Sequence, residues 1–398
     1  MERIRYTEML RSRLREKRHF IQVLTGPRQV GKSTIIADVL STLEIPYVSE
    51  SADDITVSKD AWLKGIWDRA RVLARQHGEV LVVVDEIQKI PNWSESVKKL
   101  WDEDKKTGAN VKVILSGSSR LLLMNGLSES LQGRFELIPV PHWSYGEMKK
   151  VFGFSLEEFV YFGSYPGPAD LIEDEKRWKA YIRDSIMEPS LTNDILMLTP
   201  IQKPALLRQL MELGSYYSGQ IMPFEHMLGQ LSDAGNTTTL AHYLDLLRQS
   251  GLLAGLQKYS GSEVRKRASS PKLQVFNNAL ISSRHPMDFT KAKEDNTFWG
   301  RLVESAVGTH IMNSVTGQDV SLGYWREKQD EVDFVLYNEY STVAFEVKSG
   351  NISHGRGQDV FMKRYPDSKM FTISAKADTG SMTIPLEDFL LSNPLTYL

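Results

Sequence analysis

The chain has 398 residues, with 48 Lys and Arg set against 50 Asp and Glu, and no cysteine. That length calls for two to four domains, and the balanced charge means that any nucleic-acid contact must come from a local basic patch. Without cysteine there can be no disulfides, thiolate nucleophiles or Cys-ligated metals.

The start, Met1-Glu2-Arg3-Ile4-Arg5-Tyr6, is charged where a signal peptide would be apolar, and no apolar run reaches 18 residues. A soluble, cytoplasmic protein is therefore expected. Thr7 to Lys17 reads as a short basic helix with Met9, Leu10 and Leu14 turned inward, expected to cap the sheet that follows. The apolar run Phe20 to Leu24 reads as a buried strand, and Thr34 to Leu43 as a helix. Between them lies Gly26-Pro27-Arg28-Gln29-Val30-Gly31-Lys32-Ser33-Thr34. This G-x-x-x-x-G-K-S pattern in a strand–loop–helix setting is a phosphate-binding loop, whose glycines let backbone N–H groups turn toward a polyphosphate at a helix N-terminus. Lys32 is placed to reach the β- and γ-phosphates of ATP, and Ser33 to hold Mg²⁺.

Val80 to Val84 is a continuous β-branched and aliphatic run, expected of a strand buried on both faces, and it ends in Asp85-Glu86. Asp85 is the candidate for holding Mg²⁺ through water, and Glu86 for orienting or deprotonating the attacking water. A third strand, Val111 to Leu115, carries Ser116-Gly117-Ser118-Ser119 to the same edge, where one of these serines, Ser116 first among them, is the candidate γ-phosphate sensor. Leu121 to Gln132 follows as a helix, and Gly133-Arg134-Phe135 leads into a strand, Glu136 to Val140, ended by Pro139 and Pro141.

These elements resemble AAA+ ATPases, in which a sensor follows the fourth strand and an arginine precedes the fifth. The resemblance implies that Arg134 completes the nucleotide site of a neighbouring copy in a homo-oligomeric ring. A hexamer is one such ring, the sequence does not fix the number, and the alternative is a monomeric switch regulated by nucleotide. Gly-Pro-Arg-Gln-Val-Gly-Lys, Asp-Glu-Ile-Gln-Lys, Ser-Gly-Ser-Ser and Gly-Arg before a Pro-rich strand end look like a bacterial and archaeal branch of that family, and the likeness covers nearly the whole chain. Two places depart from it: Gly163-Ser164-Tyr165-Pro166-Gly167 stands for Gly-Gly-Tyr-Pro-Glu, and Asn277 or Asn278 for an Asp.

Leu156 to Met197 reads as helical, with Trp178, Tyr181, Ile182 and Ile186 on one face. The resemblance makes this region a lid in which Arg177 and Arg183 either contact phosphate or are merely solvated. Three helices, Ala205 to Tyr217, Phe224 to Leu231 and Thr237 to Ser250, precede a strand pair, Leu252 to Lys258 and Leu273 to Phe276. That is the outline of a winged helix. The third helix buries Leu240, Tyr243, Leu244 and Leu247 and shows Thr238, Thr239, His242 and Gln249. Arg265, Lys266 and Arg267 in the polar loop are candidate DNA-phosphate contacts, and the competing reading is a winged helix packed against protein.

In Thr297 to Met312 the apolar stripe is Phe298, Leu302, Val303, Ala306 and His310, with Glu304 off it beside Gly300 and Gly308. Two alternating strands, Glu331 to Tyr337 and Thr342 to Lys348, are joined by a short turn. A symmetric turn pairs Tyr337 with Thr342 and sets Asp333 opposite Glu346 and Glu331 opposite Lys348. Two facing carboxylates destabilise a sheet unless a cation or proton intervenes, which argues for a divalent ion.

This set resembles the PD-(D/E)xK nuclease superfamily. The resemblance implies Asp333 and Glu346 as Mg²⁺ or Mn²⁺ ligands, Lys348 as the catalytic lysine and Glu304 as an accessory carboxylate. The alternative is structural, with Lys348 paired to Glu331 and the fold kept for binding. The expected organisation is α/β throughout: an AAA+ P-loop parallel sheet over 1–150, a helical lid over 151–203, a winged helix over 204–284 and a PD-(D/E)xK-like domain over 285–398. Its expected role is an ATP-hydrolysing, DNA-binding protein of DNA processing, repair or defence with a nuclease-like domain acting on duplex or branched DNA. The alternative is a nucleotide-driven switch or assembly platform with an inactive C-terminal domain.

Overall fold

The computed structural model describes residues 3–53, 59–118, 123, 127, 130–196, 201–233, 235–260, 269–350, 355–376, 380 and 382–398. The chain divides into two compact units, Met1–Val140 and Pro141–Leu398. None of the described helices is long and apolar enough to cross a membrane.

In the first unit, β1 (Ile21–Thr25), β2 (Tyr47–Ser51), β3 (Val80–Asp85), β4 (Val111–Gly117) and β5 (Phe135–Pro139) form one parallel sheet in the order β2-β3-β4-β1-β5. Strand β3 shows why it lies inside the sheet and not at its edge. Val80, Val82 and Val84 face a core with Leu63, Trp67, Trp93 and Trp101, whereas Leu81 and Val83 face another with Leu10, Leu14, Ile35 and Val39. Side chains alternate along a strand, so an unbroken apolar run is stable only where both faces are covered. The helix Ile4–Arg15 covers one face with Tyr6, Leu10 and Leu14. Of the helix expected over Leu121 to Gln132, only Leu123, Leu127 and Ser130 are described, and both leucines are buried.

The second unit begins with helices Tyr145–Phe152 and Leu156–Phe162. Each opens on a capping box, Ser144 with Glu147 and Ser155 with Glu158. The long helix expected from Leu156 stops at Gly163, resumes at Glu175–Tyr181, and passes through wider π-helical turns at Ile182–Met187 and Thr192–Leu196. The break coincides with the departures from the family pattern, and the two departures meet. Ser164 donates its backbone N–H to Asn277 Oδ1 (3.0 Å), and Asn277 Nδ2 donates to Ser164 Oγ (3.0 Å).

Helices Pro204–Tyr216, Phe224–Gln230 and Thr237–Gln249 precede the antiparallel pair β6 (Leu253–Lys258) and β7 (Lys272–Val275). Arg265, Lys266 and Arg267 lie outside the described residues. The pair does not stand apart from the rest of the unit. Strand β6 also pairs in parallel with β8 (Ser321–Glu327), giving a seven-stranded sheet β12-β11-β10-β9-β8-β6-β7 with β9 (Asp330–Tyr337), β10 (Thr342–Lys348), β11 (Lys369–Ser374) and β12 (Thr383–Pro385).

The helix Asn296–Ser314 is buried on more than one face, and His310 within it lies against Phe389 with Nε2 donating to Ser392 O (3.0 Å). Burial lowers the His310 pKa to about 4, the hydrogen bond to Ser392 opposing the shift. A histidine that folds neutral stabilises the native state fully above its unfolded value of about 6.5, and this is lost as pH falls through the folded value. Thermal melts of wild type should therefore decline between pH 6.5 and 4 by about 3 kcal/mol relative to His310→Gln. Parallel curves for the two proteins would exclude His310 as the titrating group.

Candidate functional site

The carboxyl ends of β1, β3 and β4 lie at one edge, with Leu24 level with Ser116 and Val84 level with Leu115. The loop after β1 depends on glycine twice. Gly31 has φ +92°, in the left-handed region, and a Cβ on Gly26 would come 2.1 Å from Val140 O. Lys32 is buried, and its Nζ donates to Gly26 O (2.9 Å) and Pro27 O (2.8 Å), which holds the ammonium inside the loop.

Ser33 Oγ donates to Asp85 Oδ2 (2.8 Å), while Ser116 Oγ and the Glu86 N–H both donate to Asp85 Oδ1. Asp85 thus gathers the helix start and two strand ends around one carboxylate. Ser33 and Asp85 supply hard oxygen atoms side by side, which suits Mg²⁺. Glu86 has φ +53°, and its Oε2 accepts from Gln88 Nε2 (2.5 Å) and Ser118 Oγ (3.1 Å). These partners aim the carboxylate; the sequence reading gives Gln88 no role and has Ser118 only among the serines that could sense the γ-phosphate. The signal for them was spacing alone: Gln88 two residues after Glu86, and Ser118 two after Ser116. Arg28, Gln29, Val30 and Thr34 lie in the same loop and first helical turn.

Arg134 stands where expected, just before β5, and it has a partner in its own unit. Its Nε and Nη2 grip both oxygens of Asp102 (3.0 and 3.1 Å), and the hydrogen bond to Arg134 lowers the Asp102 pKa.

A separate constellation lies in the second unit. Tyr337 does pair with Thr342, and the ladder runs to Phe334 opposite Phe345. Beyond that, the simple count fails. Against β8, the step from Val335 to Val332 spans one residue more than the step from Gly323 to Trp325, so β9 bulges at Asp333 and Phe334. Asp333 Oδ2 accepts from the backbone N–H of Val347 (2.8 Å), and Lys348 Nζ pairs with Glu346 Oε1 (2.8 Å) instead of with Glu331. Glu331 is therefore not the partner expected for Lys348, and its carboxylate lies toward Lys272.

The group that fills the cluster is Lys272, at the start of β7, which sequence reasoning missed. Fully buried, its Nζ lies 2.7 Å from Glu304 Oε1, 3.6 Å from Asp333 Oδ1 and 3.7 Å from Glu331 Oε1. It also donates to Asp333 O (3.1 Å) and sits 4.8 Å from the centre of the Phe334 ring. Burial alone would lower the Lys272 pKa, but Glu304, Asp333 and Glu331 outweigh it and raise it. Glu304 and Glu346 are both held above the usual carboxylate range, chiefly by burial.

The divalent ion expected between Asp333 and Glu346 does not fit this arrangement. Of their four oxygens, one holds Val347, one faces Lys272 and one holds Lys348, leaving Glu346 Oε2 without a hydrogen-bond partner. Among the described residues no three His, Asp or Glu side chains converge as a metal-binding group.

Residues 18–149 match the AAA domain family. Residues 153–290 and 299–395 match two further families, each described as a domain of unknown function (DUF8612 and DUF4143). The chain is 27% identical over 344 residues to an uncharacterized protein of Mycobacterium tuberculosis, covering 85% of this chain and 72% of that one. It is 24% identical over 333 residues to an uncharacterized protein of Methanocaldococcus jannaschii, covering 76% and 70%. A solved structure, the RuvB Holliday junction branch migration motor of Thermotoga maritima, aligns with TM-score 0.33 at 15% identity, covering 63% of this chain and 86% of that one. The N-terminal region is an AAA-type P-loop domain, a nucleotide-binding module of the ATP-using class.

Proposed function

We propose that this chain hydrolyses ATP with Mg²⁺ in its first unit and works on DNA as a homo-oligomer. The observation that carries the reading is the convergence of Ser33 and Ser116 on Asp85, with Glu86 separately aimed by Gln88 and Ser118. Loop amides and Lys32 would hold the phosphates, Ser33 and Asp85 the ion, and Glu86 the attacking water. Bound Mg²⁺ would offset the charge on the phosphate oxygens.

In the oligomer Arg134 leaves Asp102 and completes the nucleotide site of the adjacent copy. Mixing Arg134→Ala protein with Lys32→Ala protein should then restore part of the turnover that each lacks alone. No restoration at any ratio would count against action in trans.

Arg265, Lys266 and Arg267 are the proposed DNA contacts. Fluorescence anisotropy with four-way and linear DNA should show binding that weakens steeply with salt. Changing all three to Ala should reduce the log–log slope by up to about 3, roughly one per phosphate contact. Absence of binding to linear, single-stranded and four-way DNA at low salt would leave the platform reading. Lys272 inside the carboxylate cluster favours that second reading for the C-terminal region, a nuclease-like domain kept for binding.

A further inference from the structure

We infer that Lys272 is the resident cation of the C-terminal carboxylate cluster and excludes a divalent metal from it. Four carboxylates, Glu304, Glu331, Asp333 and Glu346, are drawn together on β9, β10 and the helix Asn296–Ser314. Such a group repels itself unless positive charge enters. Two ammonium groups do so, and they divide the cluster. Lys348 holds one oxygen of Glu346 at the end of β10, whereas Lys272 reaches the other three carboxylates from β7.

Lys272 Nζ donates one hydrogen bond, to Asp333 O, and compensates the carboxylates by the proximity of its charge. Glu304 Oε1 is closest at 2.7 Å, Asp333 O lies at 3.1 Å, and Asp333 Oδ1 and Glu331 Oε1 lie at 3.6 and 3.7 Å. Mg²⁺ and Mn²⁺ need about six oxygen ligands close in. Three of the oxygens that could begin such a shell, Glu304 Oε1, Asp333 Oδ1 and Glu331 Oε1, already lie within 3.7 Å of Nζ, and the centre of the Phe334 ring lies 4.8 Å from it. A divalent ion placed there would stand against an ammonium that is fully shielded from solvent. The cluster therefore neutralises its charge with the protein's own cation, and becomes a divalent site only when that cation is removed.

The inference concerns only the second unit and is tested without ATP or DNA, so its failure leaves nucleotide hydrolysis and DNA binding standing. The probe is Mn²⁺, followed by the electron paramagnetic resonance signal of the free ion, on the full chain carrying Asp85→Asn to weaken metal binding at the nucleotide site. That chain should bind no more Mn²⁺ than the same chain with Asp333→Asn added. Adding Lys272→Ala instead should create one bound Mn²⁺ per chain, lost again with Asp333→Asn. Either of two results overturns the inference: a Mn²⁺ held by the Lys272-bearing chain and released by Asp333→Asn, or a Lys272→Ala chain with native circular dichroism that binds none. Should Lys272→Ala fail to fold, the comparison of the Lys272-bearing chain with and without Asp333→Asn decides alone.

Discussion

Replacing Glu86 by Gln should lower ATP turnover by about 10²- to 10⁴-fold, the range for a positioned acid–base group, while ATP binding stays within a few-fold of wild type. The carboxylate lies at the carboxyl end of β3 on a left-handed backbone, with Oε2 fixed by Gln88 and Ser118. Glutamine keeps the shape and an oxygen for Ser118 to donate to, but it has no negative charge with which to draw a proton from water. The contrast is with Lys32→Ala, which removes the cation that the loop holds and should weaken nucleotide binding itself. Steady-state phosphate release and a nucleotide-binding titration separate the two effects. Equal turnover in wild type and Glu86→Gln would remove Glu86 from the reaction.

Lys272→Met, studied in chelator, should destabilise the second unit by about 3–5 kcal/mol, the cost of leaving buried charges without their partner. The methionine stem fills much of the same volume, so the loss is electrostatic. Glu304 lies closest to the ammonium and should dominate, so combining Lys272→Met with Glu304→Gln should recover part of the loss. Thermal unfolding of the four proteins forms the cycle. A Lys272→Met cost under about 1 kcal/mol, or a double variant with purely additive costs, would mean that the ammonium does not compensate the carboxylates.

The two sites differ in how much of each could be read along the chain. The candidate nucleotide site was legible as a set of segments because its parts are local. A glycine-rich loop between a strand and a helix, and a β-branched run ending in Asp85-Glu86, each declare themselves within about ten residues. Strand β2 was not read, since its outer residues Tyr47 and Ser49 are exposed and only Val48 shows an apolar core position. The carboxylate cluster was half legible. Asp333, Glu346, Lys348 and Glu304 were singled out, but a bulge in β9 leaves no mark in a residue count, and the register beyond Phe334 was lost with it. Lys272 had a faint local signal, a polar residue alternating with Leu273 and Val275 in a short strand beside Gln274, both polar side chains being buried. Its partners stand 32 and 61 residues further on at Glu304 and Asp333, a separation over which neither helical nor strand periodicity carries information.

The seven-stranded sheet also bears on inheritance. One matched family ends at residue 290 and the next begins at 299, so by sequence the chain looks as if it could recombine freely between them. Yet β6 is hydrogen-bonded to β8 across that seam, and Lys272 on one side carries the positive charge that Glu304 and Asp333 need on the other. A gene crossover at the seam would bring together a β8 edge and a β6 edge shaped for other partners. It would also separate three acids from their base. Exchanging either segment alone should therefore unseat the sheet and leave the acids uncompensated, so the two behave as one unit of replacement.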